Sequence, residues 1–88
     1  MIVRLSPGVQ RTLRSFSKPQ LLAFARLLEK VMANPTANSE PLLHTHPVQR
    51  CAKSGTFRLT IELRFELEDP DDRGTLALIL YLVECRVD

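Results

Sequence analysis

Between Phe57 and Leu67, apolar and polar residues alternate without a break. The odd positions are Phe57, Leu59, Ile61, Leu63, Phe65 and Leu67; the even ones are Arg58, Thr60, Glu62, Arg64 and Glu66. Successive side chains of a strand point to opposite faces. This run therefore predicts a strand with one face on a core and the other, led by Arg58, in water. A turn is expected at "EDPDDRG", then a last strand over "TLALILYLVECRV". That run is apolar on both faces as far as Val83, as in an interior strand. Within it Tyr81 has the parity of Ile79 and Val83 and is expected to face the helices, while Glu84 and Arg86 have the opposite parity. If Glu68 pairs with Leu76, the antiparallel ladder sets Arg58 opposite Arg86. A slip of one residue would send Arg86 to the other face.

The first half carries helical periods. "MIVRLS" predicts a short strand with Ile2, Val3 and Leu5 apolar. Ser6 and Pro7 then make a helix start: a side-chain oxygen for the free amides, followed by a ring that presets φ. Val9, Leu13 and Phe16 form one stripe of a short amphipathic helix, with Arg11 and Arg14 off it. Ser17 and Gln20 fit a capping box for a second helix, with Pro19 in its first turn. Its apolar stripe is expected to be Leu21, Leu22, Ala25, Leu28, Val31 and Met32, and "ANP" stops it, with Asn34 suited to a left-handed cap. The link between these helices is so short that they must form an antiparallel hairpin. "TANSEPLLHTHP" is loop, and Val48 to Lys53 predicts another strand.

The expected order is β-α-α-β-β-β, an α+β fold in one domain, residues 1–88. An N-terminal strand and a helical hairpin packed on one face build a small, mainly antiparallel sheet whose other face stays open. The chain is long enough for one small core, burying about 60–65% of its unfolded surface.

Composition narrows the class. Apolar residues make up 44% and charged residues 25%, ordinary values for a soluble globule. No apolar stretch approaches the roughly 20 residues of a spanning helix, and Pro7 and Gly8 interrupt any signal-peptide core, so a cytoplasmic protein with no membrane partner is expected. Cys51 and Cys85 belong to no CxxC pair and are expected to be free thiols. The net charge of +2 conceals an asymmetry: residues 1–53 hold eight Lys and Arg against Glu29 and Glu40, while residues 54–88 hold four Arg against eight acids. A basic first half suits a phosphate-bearing or acidic partner.

"VRLSPGVQRTLRSFSKPQLLAFARLLEKVMANP", a loop, and "SGTFRLTIEL" follow one another in an order that resembles the RelE/ParE superfamily of bacterial toxins. The shared pattern is a first strand ending in Ser-Pro, a basic helical hairpin with an "NP" stop, a Gly-aromatic-Arg-Leu strand and a hydrophobic last strand. The resemblance covers nearly the whole chain. It implies a toxin neutralised by a cognate antitoxin protein, as a homodimer or a toxin–antitoxin hetero-oligomer. In the RelE branch it implies a ribosome-dependent endoribonuclease, an mRNA interferase that cuts mRNA without a metal. The alternatives are a ParE-like gyrase inhibitor or a catalytically inactive protein-binding module of the same fold.

RNA cleavage of this kind drives the ribose 2′-hydroxyl against the adjacent phosphate, so negative charge builds on the phosphoryl oxygens and the departing 5′-oxygen needs a proton. Guanidinium forks and ammonium groups meet the first demand. By the resemblance, Arg58 in "GTFR" is the transition-state-stabilising arginine, displaced by the extra Thr56, and Arg86 is the second arginine, a proton donor or phosphate ligand. Lys53 is a catalytic candidate that activates the 2′-hydroxyl or holds phosphate; Arg50, His46 and Arg64 are RNA-binding candidates. The tail tyrosine usual beyond the last arginine of RelE-type toxins has no counterpart before Asp88. His44 and His46 form an H-x-H, but only Cys51 lies near as a further ligand, so no metal or other cofactor is expected.

Overall fold

The computed structural model describes residues 2–67 and 76–88. Its element order is β1 (Ile2–Leu5), α1 (Pro7–Ser15), α2 (Lys18–Ala33), β2 (Glu40–Pro41), β3 (Arg50–Ser54), β4 (Phe57–Leu67) and β5 (Leu76–Val87). The strands form one five-stranded sheet in the order β1-β5-β4-β3-β2, antiparallel except for the parallel β1–β5 pair. The fold is α+β, with both helices on one sheet face. The expected turn at "EDPDDRG", and with it Glu68, lies outside the described residues.

The caps work as their residue types dictate. Ser6 Oγ accepts from the Val9 amide at 3.1 Å, and Pro7 opens α1. At α2 the capping box closes both ways: Ser17 Oγ accepts from the Gln20 amide, and Gln20 Oε1 accepts from the Ser17 amide at 2.8 Å. The α2 stop differs from expectation. Asn34 is extended (φ −156°) rather than left-handed, and its side-chain oxygen accepts from Thr36 Oγ1 and the Ala37 amide, turning the chain by side-chain bonding instead.

The buried core joins Val9, Phe24, Leu27 and Val31 of the helices to Ala52, Leu59, Ile61, Leu80, Leu82 and Cys85 of the sheet. The buried stripe of α2 is therefore Phe24, Leu27 and Val31, flanked by Ala23 and Leu28; Val31 and Leu28 of the expected stripe belong to it, whereas Leu21, Leu22, Ala25 and Met32 are exposed. Residues 21–25 are apolar throughout, so spacing alone admits several faces; burying the large Phe24 ring selects this one.

β4 and β5 pair over their whole length, with one irregularity. Thr60 faces Glu84 but Ile61 faces Leu82, so Val83 is a surplus residue in β5, a β-bulge. Ser6 is bonded to this point: its amide donates to Leu82 O at 3.0 Å and its hydroxyl donates to Val83 O at 2.9 Å. The bulge corrects two expectations. Toward the start of β5, Leu76 faces Leu67, and Tyr81 faces Glu62, on the sheet face that neither α1 nor α2 covers rather than toward the helices. Farther along β4, Phe65 keeps the parity of the core residues yet is 72% exposed, and Leu76 at the start of β5 is exposed as well.

Candidate functional site

The uncovered face begins where Gly55 permits a two-residue turn. Its φ of +58° is strained for any residue with a Cβ, and the turn sets Ser54 against Phe57. One step further along, Lys53 faces Arg58, and Arg58 faces Arg86. Phe57 and Leu59 point into the core, so alternation turns these three cations onto the opposite, uncovered face. Three adjacent strands thus place Lys53, Arg58 and Arg86 side by side, about 5 Å apart from strand to strand.

Like charges directly opposite one another destabilise a sheet unless something offsets them. Here Asp88 does so. Its Oδ2 lies 3.3 Å from Arg58 Nε and its Oδ1 lies 3.0 Å from Arg86 Nε, one oxygen to each guanidinium. The Asp88 amide donates to Thr56 O at 2.8 Å, which fixes the carboxylate beside the turn. Arg58 Nη1 donates to the carbonyls of Gly55 and Phe57, so its head is oriented before any ligand arrives. The arginine pair is built to hold two oxygens of one anion. The Asp88 carboxylate competes for that seat: Asp88→Asn should tighten binding of inorganic phosphate on the order of fivefold, measured by NMR titration, since exposed ion pairs are each worth a few tenths to one kcal/mol.

The other sequence-derived candidates lie elsewhere. Arg50 faces Ile61, on the helix side of the sheet. Its Nε donates to Ser39 Oγ at 2.7 Å and its Nη2 to the carbonyls of Thr36 and Ser39, so it pins the connection after α2. Ser39 Oγ in turn donates to Pro35 O. His46 is exposed in the β2–β3 connection, whose Gln49 reaches the level of Glu62, about 13 Å along β4 from Arg58. Arg64 is on the uncovered face but bound there: Nε and Nη2 meet Glu62 Oε2 at 2.8 and 2.6 Å, and its guanidinium lies 4.2 Å over the Tyr81 ring.

That second cluster closes part of a face expected to be wet. Glu62 is only 5% exposed. The hydrogen bond from Gln49 Nε2 (2.9 Å) and the Arg64 contacts hold its carboxyl below the usual range, against the opposing pull of burial. Its stabilising contribution is present above the ordinary carboxylate pKa and is lost as pH falls through the lowered value. Cys85 is buried on the helix side, and burial followed by the charge of Glu84 raises its thiol pKa; Cys51 is on the uncovered side, and both are free thiols. Among the described residues, no three His, Cys, Asp or Glu side chains gather into a metal-binding group.

Two elements of the site escaped the sequence reading. Asp88 was one; its charge follows Arg86 by two residues, the same parity, which is the signal available. The other is a cleft of about 220 Å³ at the edge of the sheet, between the end of α2 and β3, lined by Lys30, Asn38, Ser39, Glu40, Cys51 and Lys53. No family model, curated protein or solved structure matches this chain. No helix among the described residues is long and apolar enough to cross a membrane.

Proposed function

We propose that this chain is the toxin of a bacterial toxin–antitoxin system and a ribosome-dependent mRNA endoribonuclease acting through the Lys53–Arg58–Arg86 row. One observation carries the reading: three cations stand as direct cross-strand partners on a sheet face that neither α1 nor α2 covers, with an anion already bridging the two arginines. The resemblance of the sequence to RelE-type toxins supports the same assignment.

In this mechanism the forks of Arg58 and Arg86 take the non-bridging oxygens of the scissile phosphate, where Asp88 now sits. The bond from the ribose 2′-oxygen to phosphorus forms and the bond to the 5′-oxygen breaks, leaving a 2′,3′-cyclic phosphate and a free 5′-hydroxyl. Solvent water takes the proton of the 2′-hydroxyl and supplies one to the 5′-oxygen, so the step is proton-neutral. Charge on the phosphoryl oxygens peaks between these events, and guanidiniums fixed in advance stabilise that state more than the ground state. Lys53 adds an ammonium on the neighbouring strand, for the 2′-hydroxyl or the next phosphate. The chemistry asks no redox or metal partner of the protein.

The deciding experiment is a purified translation reaction programmed with a defined mRNA, run beside a DNA-supercoiling reaction. Cleavage of ribosome-bound mRNA at codon-linked positions is the expected result. Intact mRNA with supercoiling inhibited would move the chain to the gyrase-poison class, and inactivity in both reactions would leave a protein-binding module.

A further inference from the structure

Resting on the reading of the cation row as a phosphate site, we propose that the cleft beside Lys53 is a guanine-reading subsite, with Glu40 as the residue that chooses the base. The cleft is about 220 Å³, below the ~300–1,000 Å³ of sites for drug-sized molecules, so it suits a single base rather than a larger ligand. It is also continuous with the row, because Lys53 belongs to both. Neighbouring strands are about 5 Å apart, so a phosphate on the arginines and a ring in the cleft are separated by the reach of one nucleotide.

The lining selects among bases. Glu40 brings a carboxylate, which only accepts hydrogen bonds at neutral pH; Lys30 and Lys53 bring ammonium groups, which only donate. Among the described residues, none of these three forms an ion pair. Guanine presents two adjacent N–H donors, N1 and N2, beside an acceptor, O6. A carboxylate takes both donors and an ammonium takes the oxygen. Adenine and cytosine each offer one amino donor next to a bare ring nitrogen, and uracil offers a single N–H between two carbonyls, so each would set an acceptor against the carboxylate. The backbone keeps Glu40 in place: it faces Cys51 in the β2–β3 ladder, and Ser39 beside it is held by Arg50. Arg50, turned away from the phosphate row, thus becomes a positioning residue for the base.

The test is an NMR titration of the full chain with GMP, AMP, CMP, UMP and ribose 5-phosphate, repeated on Glu40→Gln and Arg58→Ala. The expected result is GMP binding about tenfold or more tighter than ribose 5-phosphate, as a bidentate base contact is worth. Glu40→Gln should bring GMP down to the level of the other nucleotides while ribose 5-phosphate binding is kept. Arg58→Ala should weaken all five ligands together. If ribose 5-phosphate binds and Arg58→Ala removes it, yet GMP has no advantage or keeps it in Glu40→Gln, the guanine subsite is overturned and the phosphate row stands. If Arg58→Ala leaves every affinity unchanged, the row itself falls and the subsite built on it falls too.

Discussion

Arg58→Ala should abolish growth arrest on expression and cut the rate of mRNA cleavage by about a hundredfold or more, the usual cost of removing one fixed donor from a developing oxyanion. Arg58 is the middle member of the row, flanked by Lys53 and Arg86, so its loss removes the donor nearest to both. The fold should survive. The side chain is on the uncovered face, and of its backbone partners the Gly55 carbonyl belongs to an exposed turn that water can serve, while the Phe57 carbonyl is at the first residue of β4. Thermal unfolding followed by circular dichroism should therefore move by no more than a surface substitution allows, about 0.5 kcal/mol. Arg58→Lys is the sharper variant, since it keeps the charge and discards the fork that spans two oxygens. Toxicity should fall with the fork. Full toxicity in Arg58→Ala would place the active site elsewhere.

The second large effect is on stability. Leu82→Ala should cost about 2–5 kcal/mol, the range for emptying a leucine-sized space in a packed core. Leu82 is fully buried, faces Ile61 on β4 and pairs with Leu5 on β1. A domain of this size has only about 4–13 kcal/mol in total. A large fraction of the molecules should then be unfolded at modest urea, visible as a lowered midpoint with an unchanged slope. Phe65→Ala is the comparison. Phe65 continues the apolar alternation of β4, but it is 72% exposed, and its removal should leave the midpoint nearly where it was. Equal losses in the two variants would mean that the far half of the β4–β5 ladder is also packed.

That contrast shows which features could be read from residues alone. Strict alternation in β4 and the two serine caps each have one physical solution, so the strand, both helix starts and their hairpin were legible. The face of α2 was not, because a run of five apolar residues supports more than one stripe until Phe24 is packed. β2 has two residues, one a proline, and so offers no alternation to detect. The bulge at Val83 also left no mark, since one valine in a run of apolar residues looks like any other. For that reason alone, simple alternation puts Tyr81 on the wrong side.

For the site, Arg58 opposite Arg86 is the expected pair, although the route differs: the ladder from Ile61 to Leu67 is offset by one residue and the bulge restores it. Arg50 and Lys53 are three apart on one strand, an odd separation, so elementary parity already puts them on opposite faces. The β3 pairing does the same, with Arg50 against Ile61 and Lys53 against Arg58. The cleft needed coordinates, because Lys30 and Glu40 come together only through the fold of the chain after α2.

The bulge also makes the strand forgiving in length. Excising Val83 would straighten β5 and leave every partnership on both sides of the gap intact, from Arg58 with Arg86 to Leu67 with Leu76. The loss would land on Ser6, whose hydroxyl surrenders its carbonyl acceptor. A lineage could therefore shed or regain this single residue while its cation row stays aligned, with the start of α1 absorbing the change.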